Sequence, residues 1–166
     1  PTLPMEEAFS QQLKEEKLEL PAGQFALFMN SMYAVDAYVR DYFRKAVLDA
    51  LLAEKLPVTV FGEGWEKYSC GDEHSLRREP AVPFALSFER IAKAHVLLNV
   101  SPIFNRGMHD RVPAGMANHA VVLTDENPYL RRTFTDGKEL LFYSLEKPDT
   151  LCEQAERTLT DVRPVS

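Results

Sequence analysis

The strongest constraint on the fold is a recurring alternation along the chain. Short apolar runs, VTVF (58–61), AHVLLNV (94–100), AVVL (120–123) and LLFY (140–143), are separated by stretches with helical or turn-forming pattern. Nearly unbroken apolar runs of this length read as strands buried on both faces, which need helices to cover them. Strand followed by helix followed by strand favours parallel pairing, because each return to the start of the next strand takes a crossover. The expected class is therefore α/β, a Rossmann-like open parallel sheet with helices on both faces. At 166 residues the chain has room for one such core.

The intervening segments fill in the order. Residues 4–20 (PMEEAFSQQLKEEKLEL) are charged and modestly amphipathic. They read as a peripheral helix or the end of a linker, closed by Pro21, Ala22 and Gly23. This sets residues 1–23 apart from a Rossmann-like unit over 24–166. A longer helix is expected from Ser31. Val35, Tyr38, Val39, Tyr42, Ala46, Val47, Ala50 and Leu51 recur at helical spacing as one apolar stripe. Pro57 ends it, because the residue before a proline leaves the α region. Residues 66–83 are irregular, with room for one or two short strands, and 88–94 read as a turn or two of helix. Residues 107–118 read as a helix that starts in earnest near Arg111, since Pro113 fits only in a first turn. A short helix over 127–134 and a closing amphipathic helix over 148–159 complete the series.

Composition excludes some functions. The net charge of −6 argues against a general nucleic-acid or anionic-membrane binder, while leaving room for a local basic pocket. No apolar stretch is long enough to span a bilayer, and no signal peptide is visible. The chain opens on Pro1, so it is expected to be a piece of something longer. Cys70 and Cys152 lie in different segments and read as reduced thiols of a cytoplasmic protein.

In open parallel sheets, ligands bind beyond the carboxyl ends of the strands, where the strand order reverses. If 58–61 and 94–100 are strands one and four of a 3-2-1-4-5-6 order, the loops 62–65 and 101–111 adjoin across one cleft. The first loop, GEGW, offers Gly62 and Gly64 but no third glycine, so the dinucleotide fingerprint is incomplete. It is either a tight turn with Trp65 on the rim or a place where backbone approaches a phosphate or base. The second loop, within NVSPIFNRGMHDRV (99–112), concentrates more chemistry. Ser101 and Gly107 lie on it, Arg106 and Arg111 supply charge for a diphosphate, and His109 supplies a hydrogen-bond donor. A helix N-terminus there would also attract an anion, and Asp110 in its first turn is explained by that dipole. Thr124, Asp125 and Asn127 follow the next strand on the same edge. They form either a helix cap with a turn or a pocket wall contacting a sugar. Cys70 and His74 lack a second ligand pair, so no metal site is expected; His95 and His119 read as structural. Neither a nucleophile elbow nor a P-loop occurs.

Residues 97–144, LLNVSPIFNRGMHDRVPAGMANHAVVLTDENPYLRRTFTDGKELLFYS, resemble the C-terminal domain of CgeB-like glycosyltransferases, whose fold is the two-domain GT-B type. The upstream run YFRKAVLDALLAEKLPVTVFGEGW (42–65) is similar to the helix and first strand of that domain. The resemblance implies a Rossmann half that binds a nucleotide-sugar donor, with no metal and no other cofactor. It places Gly107, His109 and Arg111 at the donor diphosphate with Arg106 nearby, gives His109 and Arg111 the catalytic roles, and sets Thr124, Asp125 and Asn127 at the sugar or ribose. It also implies a separate N-terminal Rossmann domain supplying most acceptor contacts, so this chain is expected to fold alone yet transfer no sugar. One position departs from the pattern. Where many GT-B retaining enzymes have a pattern like R-V-F-E-A, with a glutamate for the donor ribose, this chain reads R-V-P-A-G (111–115), with Ala114 in the acid's place. The alternatives are a non-catalytic nucleotide or nucleotide-sugar binding module, or a protein-interaction α/β unit. The latter would need an acidic cluster after 58–61, where Glu63 stands alone.

Overall fold

A computed structural model of the chain describes residues 3–160. Helices α1 (Met5–Glu15), α2 (Ala22–Ser31) and α3 (Tyr33–Ala53) lead into strand β1 (Val58–Phe61). A single 3-10 turn (Trp65–Lys67) then precedes β2 (Leu76–Glu79). The remaining elements alternate: α4 (Phe84–Ile91), β3 (Val96–Asn99), α5 (Arg111–Ala117), β4 (Val121–Asp125), α6 (Pro128–Thr133), β5 (Leu141–Tyr143) and α7 (Pro148–Thr160). Among the described residues no helix is long and apolar enough to cross a membrane.

All strand pairings are parallel, as the alternation requires, but the strands form two sheets. β1 pairs with β2, and β3, β4 and β5 pair in that order. The expected continuous ladder from β1 to β3 is not formed. Helix α3 and β1 join the sheets instead. Val47 and Leu51 of α3 pack with Leu151 and Ala155 of α7 over Val100, Leu123 and Tyr143, while Leu48 and Leu52 cover Leu76 of the smaller sheet. Val58 touches both clusters. On the opposite face of the larger sheet, Val112 of α5 and Leu130 of α6 pack on Val122, Leu140 and Phe142. Neighbouring residues of one strand thus feed opposite layers, Val122 against Leu123 and Phe142 against Tyr143.

Several expected boundaries shift, each for a physical reason. Pro21, Ala22 and Gly23 open a helix rather than close one. Pro21 stands at the N-cap of α2, where a missing N–H costs nothing, and its carbonyl accepts from Phe25 N at 2.9 Å. Helix α4 starts at Phe84, directly after Pro83, and so precedes the expected segment. Helix α3 stops at Ala53, before Pro57 can act. Lys55 takes φ +57°, its N–H reaches Leu52 O, and Leu56 N–H reaches Leu51 O. This is the paired-bond helix stop normally made by glycine. Lys17 closes α1 and His119 closes α5 in the same way, so His119 has a backbone role. The apolar stripe of α3 is buried only in its C-terminal half: Val47 and Leu51 are buried, whereas Val35, Tyr38 and Tyr42 are exposed.

Gly115 sets how closely α5 approaches the sheet. A Cβ there would lie 2.6 Å from Val122 Cγ2 and 2.8 Å from Leu97 Cδ2. Overpacking a filled interface costs about 1–3 kcal/mol. Gly115→Ala is therefore expected to destabilise the protein by that amount in urea unfolding, despite alanine's better helix propensity. An unchanged or raised midpoint would show that α5 can retreat freely.

Candidate functional site

The carboxyl edge of the larger sheet is organised around Asn99, the last residue of β3 and only 1% exposed. Its Nδ2 donates to Thr124 Oγ1 at 3.0 Å, next door on β4. Its Oδ1 accepts from Ser101 Oγ at 3.2 Å and from Arg111 Nη1 at 3.2 Å. Its backbone carbonyl accepts from Tyr143 OH at 2.8 Å, at the end of β5. One residue thereby ties the ends of three strands to the first residue of α5.

Arg111 is the unusual charge of this edge. Among the described residues its guanidinium has one hydrogen-bond acceptor, the Asn99 amide, and no carboxylate within ion-pair distance. Burial, followed by the repulsion of Arg44 on α3, holds its pKa below the usual arginine value. His109 is also pushed down, by burial and then by Arg111, so its imidazole is neutral near pH 7. His109 Nδ1 lies 2.5 Å from Asp110 Oδ1 and accepts from the Arg111 backbone N–H at 3.3 Å. Asp110 occupies the N-cap position of α5 but makes no side-chain cap; its carboxylate faces His109 instead.

Asp125, at the end of β4, is 4% exposed, and its Oδ1 accepts from Ser101 N–H at 2.7 Å. Burial raises its pKa to about 6, against the lowering effect of the Ser101 bond. Asp125 and Asn127 line an open cleft of about 510 Å³ with Asn105, Arg131, Ser144 and Glu146. Arg131 is already held by Glu126 at 2.6 Å and lies over the Phe142 ring at 4.3 Å.

The residues singled out from sequence fall into three groups. Ser101, His109, Arg111, Asp125 and, through it, the cleft belong to one edge. Thr124 and Asn127 are also there but are engaged by the protein. Thr124 is fully buried beneath Asn99. Asn127 Oδ1 caps α6 by accepting from Leu130 N–H, and its Nδ2 donates to Phe104 O and Gly107 O, stapling the 101–110 loop to α6. Asn127 is thus a helix cap that also stands in the wall of the cleft. Gly107 lets Phe104 fold against the backbone, since a Cβ would meet Phe104 Cε1 at 2.9 Å. Arg106 turns the other way, pairing with Glu7 of α1 beside a second cleft lined by Pro4, Glu6 and Ile103. Gly62 and Gly64 lie after β1 on the smaller sheet, at φ +124° and +90°, and line neither cleft. Asn99, Arg44 and Tyr143 were not foreseen as site residues. The visible signal for Asn99 was an amide closing an otherwise apolar strand.

Residues 40–163 match the model of a family described as glycosyl transferase-like. No curated protein and no solved structure matches the chain.

The raised pKa of Asp125 has a sign that can be checked. Folding favours the protonated carboxyl, so the native state binds more protons than the unfolded chain between the ordinary aspartate value of 3.8 and about 6. Stability from this group is present below that window and is lost as pH rises through it. The loss is on the order of 2–3 kcal/mol for a shift of this size. Asp125→Asn keeps an acceptor for Ser101 N–H and is expected to flatten the fall in stability between pH 4 and about pH 6.5. Parallel pH profiles for parent and variant would place the carboxyl in a more solvated setting.

Proposed function

Because the chain belongs to this glycosyl transferase-like family, we propose that it binds a nucleoside-diphosphate sugar at the carboxyl edge of β3, β4 and β5, as the donor-binding half of a CgeB-like enzyme of the GT-B type. The observation that carries the reading is Arg111. A partly buried guanidinium with five N–H donors and one neutral acceptor is incomplete without an anion. Arg44, although paired with Asp41 at 3.7 Å, is close enough to repel Arg111 and adds positive charge to the same edge. Helix α5 spans only seven residues, so the reading rests on the guanidinium rather than on the helix end.

On this reading the chemistry is charge stabilisation. Departure of a nucleoside diphosphate builds negative charge on the leaving phosphate, and preorganised arginine donors stabilise it where water is excluded. Neutral His109 contributes a hydrogen bond and not a charge. Asp125 and the cleft beside it face the sugar or ribose. The acceptor and the closing wall come from the other Rossmann half, so this chain alone binds donor without transferring sugar. The charge is met by arginines without a metal, and the two free cysteines suit a reducing, cytoplasmic setting. The second reading, a nucleotide-binding module without catalysis, is favoured specifically by Ala114 on α5, where many GT-B retaining enzymes carry an acid.

Calorimetric titration with nucleoside diphosphates and their sugars tests the site. A charge-assisted hydrogen bond contributes roughly 1.5–3 kcal/mol, so Arg111→Ala is expected to weaken binding about tenfold to a hundredfold. Arg111→Lys recovers part of this, because an ammonium lacks the planar fork. Arg77→Ala, at an exposed position of β2, is the control and leaves affinity unchanged. Parent-like affinity in Arg111→Ala would move the anion elsewhere.

A further inference from the structure

Asn99 makes four hydrogen bonds while 1% exposed, yet lines neither of the two clefts described above. The orientation of its amide is fixed by its partners. Ser101 Oγ and Arg111 Nη1 both present donors to one side, and Thr124 Oγ1 presents an acceptor to the other. Turning the amide over would aim its NH₂ at a guanidinium, so the oxygen must face Arg111.

We propose that Asn99 is the positioning residue for Arg111: its neutral oxygen fixes the guanidinium through Nη1 without neutralising it, leaving the remaining donors charged and aimed at an incoming diphosphate. This rests on the donor-site reading above. The choice of amide over carboxylate is the informative part. An aspartate at this position would have nearly the same shape, and Thr124 could exchange its long 3.2 Å bond to Asp125 O for one donated to the new carboxylate. It would, however, give Arg111 an internal counterion. Charge-assisted pairs are stronger than bonds to a neutral oxygen, so the guanidinium would be held by the protein rather than by a ligand. The second support is Tyr143, which is 2% exposed. Its hydroxyl fixes the Asn99 carbonyl from β5, so the amide does not drift when a ligand pulls on Arg111.

The test uses inorganic pyrophosphate as the probe, which isolates the diphosphate from base and sugar. Affinity by calorimetry and melting temperature are measured for the parent chain, Asn99→Asp, Arg111→Ala and the double variant. The expected result is that Asn99→Asp binds pyrophosphate at least tenfold more weakly while melting no lower than the parent. The double variant is expected to bind no more weakly than Arg111→Ala alone, since the aspartate acts through the arginine. A purely structural role would lower the melting temperature and leave affinity near that of the parent, and that outcome overturns the proposal. So does an equal further loss on adding Asn99→Asp to Arg111→Ala, which would mean direct repulsion of the ligand. Parent-like binding by Arg111→Ala overturns the donor-site reading itself. Weakened binding by Arg111→Ala with parent-like binding by Asn99→Asp overturns only the role of Asn99.

Discussion

A hydrogen-bonded asparagine at the end of β3 holds the carboxyl edge of the sheet together. Its side chain reaches β4, its carbonyl is held from β5, and its oxygen steadies the first residue of α5. Buried amides need all their partners, because an unsatisfied donor or acceptor in this setting costs about 1–3 kcal/mol. Both side-chain polar atoms of Asn99 and its carbonyl are bonded, and this network fixes the relative height of three strands. That height determines where Ser101, Asp125 and Arg111 stand. Loss of any one partner would be felt at the others, since they share one residue.

The electrostatics of the edge are unbalanced in a directed way. Two arginines, Arg44 and Arg111, repel each other across the site. The buried carboxyl nearest to them is Asp125, whose own burial opposes its ionisation. His109 is held neutral by the same burial and the same arginine. Arg44 has Asp41 at 3.7 Å, whereas Arg111, among the described residues, has no carboxylate within ion-pair distance. Its other half-buried arginines carry acid partners, Arg40 with Asp36, Arg44 with Asp41 and Arg78 with Glu73. Arg78 donates to Glu73, Trp65 O and Tyr68 O, and Arg131 to Glu126. The contrast is what marks Arg111 as a site for something from outside.

Much of the architecture was legible because strands buried on both faces leave unbroken apolar runs, and those runs located β1, β3, β4 and β5. Helix ends were less legible. Three helices stop on Lys17, Lys55 and His119 in left-handed conformations, which sequence assigns to glycine. The apolar stripe of α3 was visible, but periodicity does not say which half will find a partner. Tyr38 and Tyr42 remain exposed, stacked on each other at 6.3 Å. In the site, residue type identified the neighbourhood but not the division of labour. Asn127 and Thr124 are consumed in holding the loop and the amide, and Arg106 by an acid some hundred positions away in sequence. Long-range partners of that kind leave no local pattern. Asn99 was readable only as a polar end to an apolar strand, and its importance comes from neighbours contributed by β4, β5 and α5.

The central claim is that an anion seats on Arg111 while Arg77, Arg106 and Arg131 keep their acid partners. Side-chain NMR of the arginine Nε–Hε groups during titration with a nucleoside diphosphate reads this directly. The account predicts that the Arg111 resonance shifts and sharpens as ligand binds, that Arg44 follows to a smaller extent, and that Arg77 stays fixed. A titration in which Arg106 or Arg131 responds while Arg111 does not would contradict it.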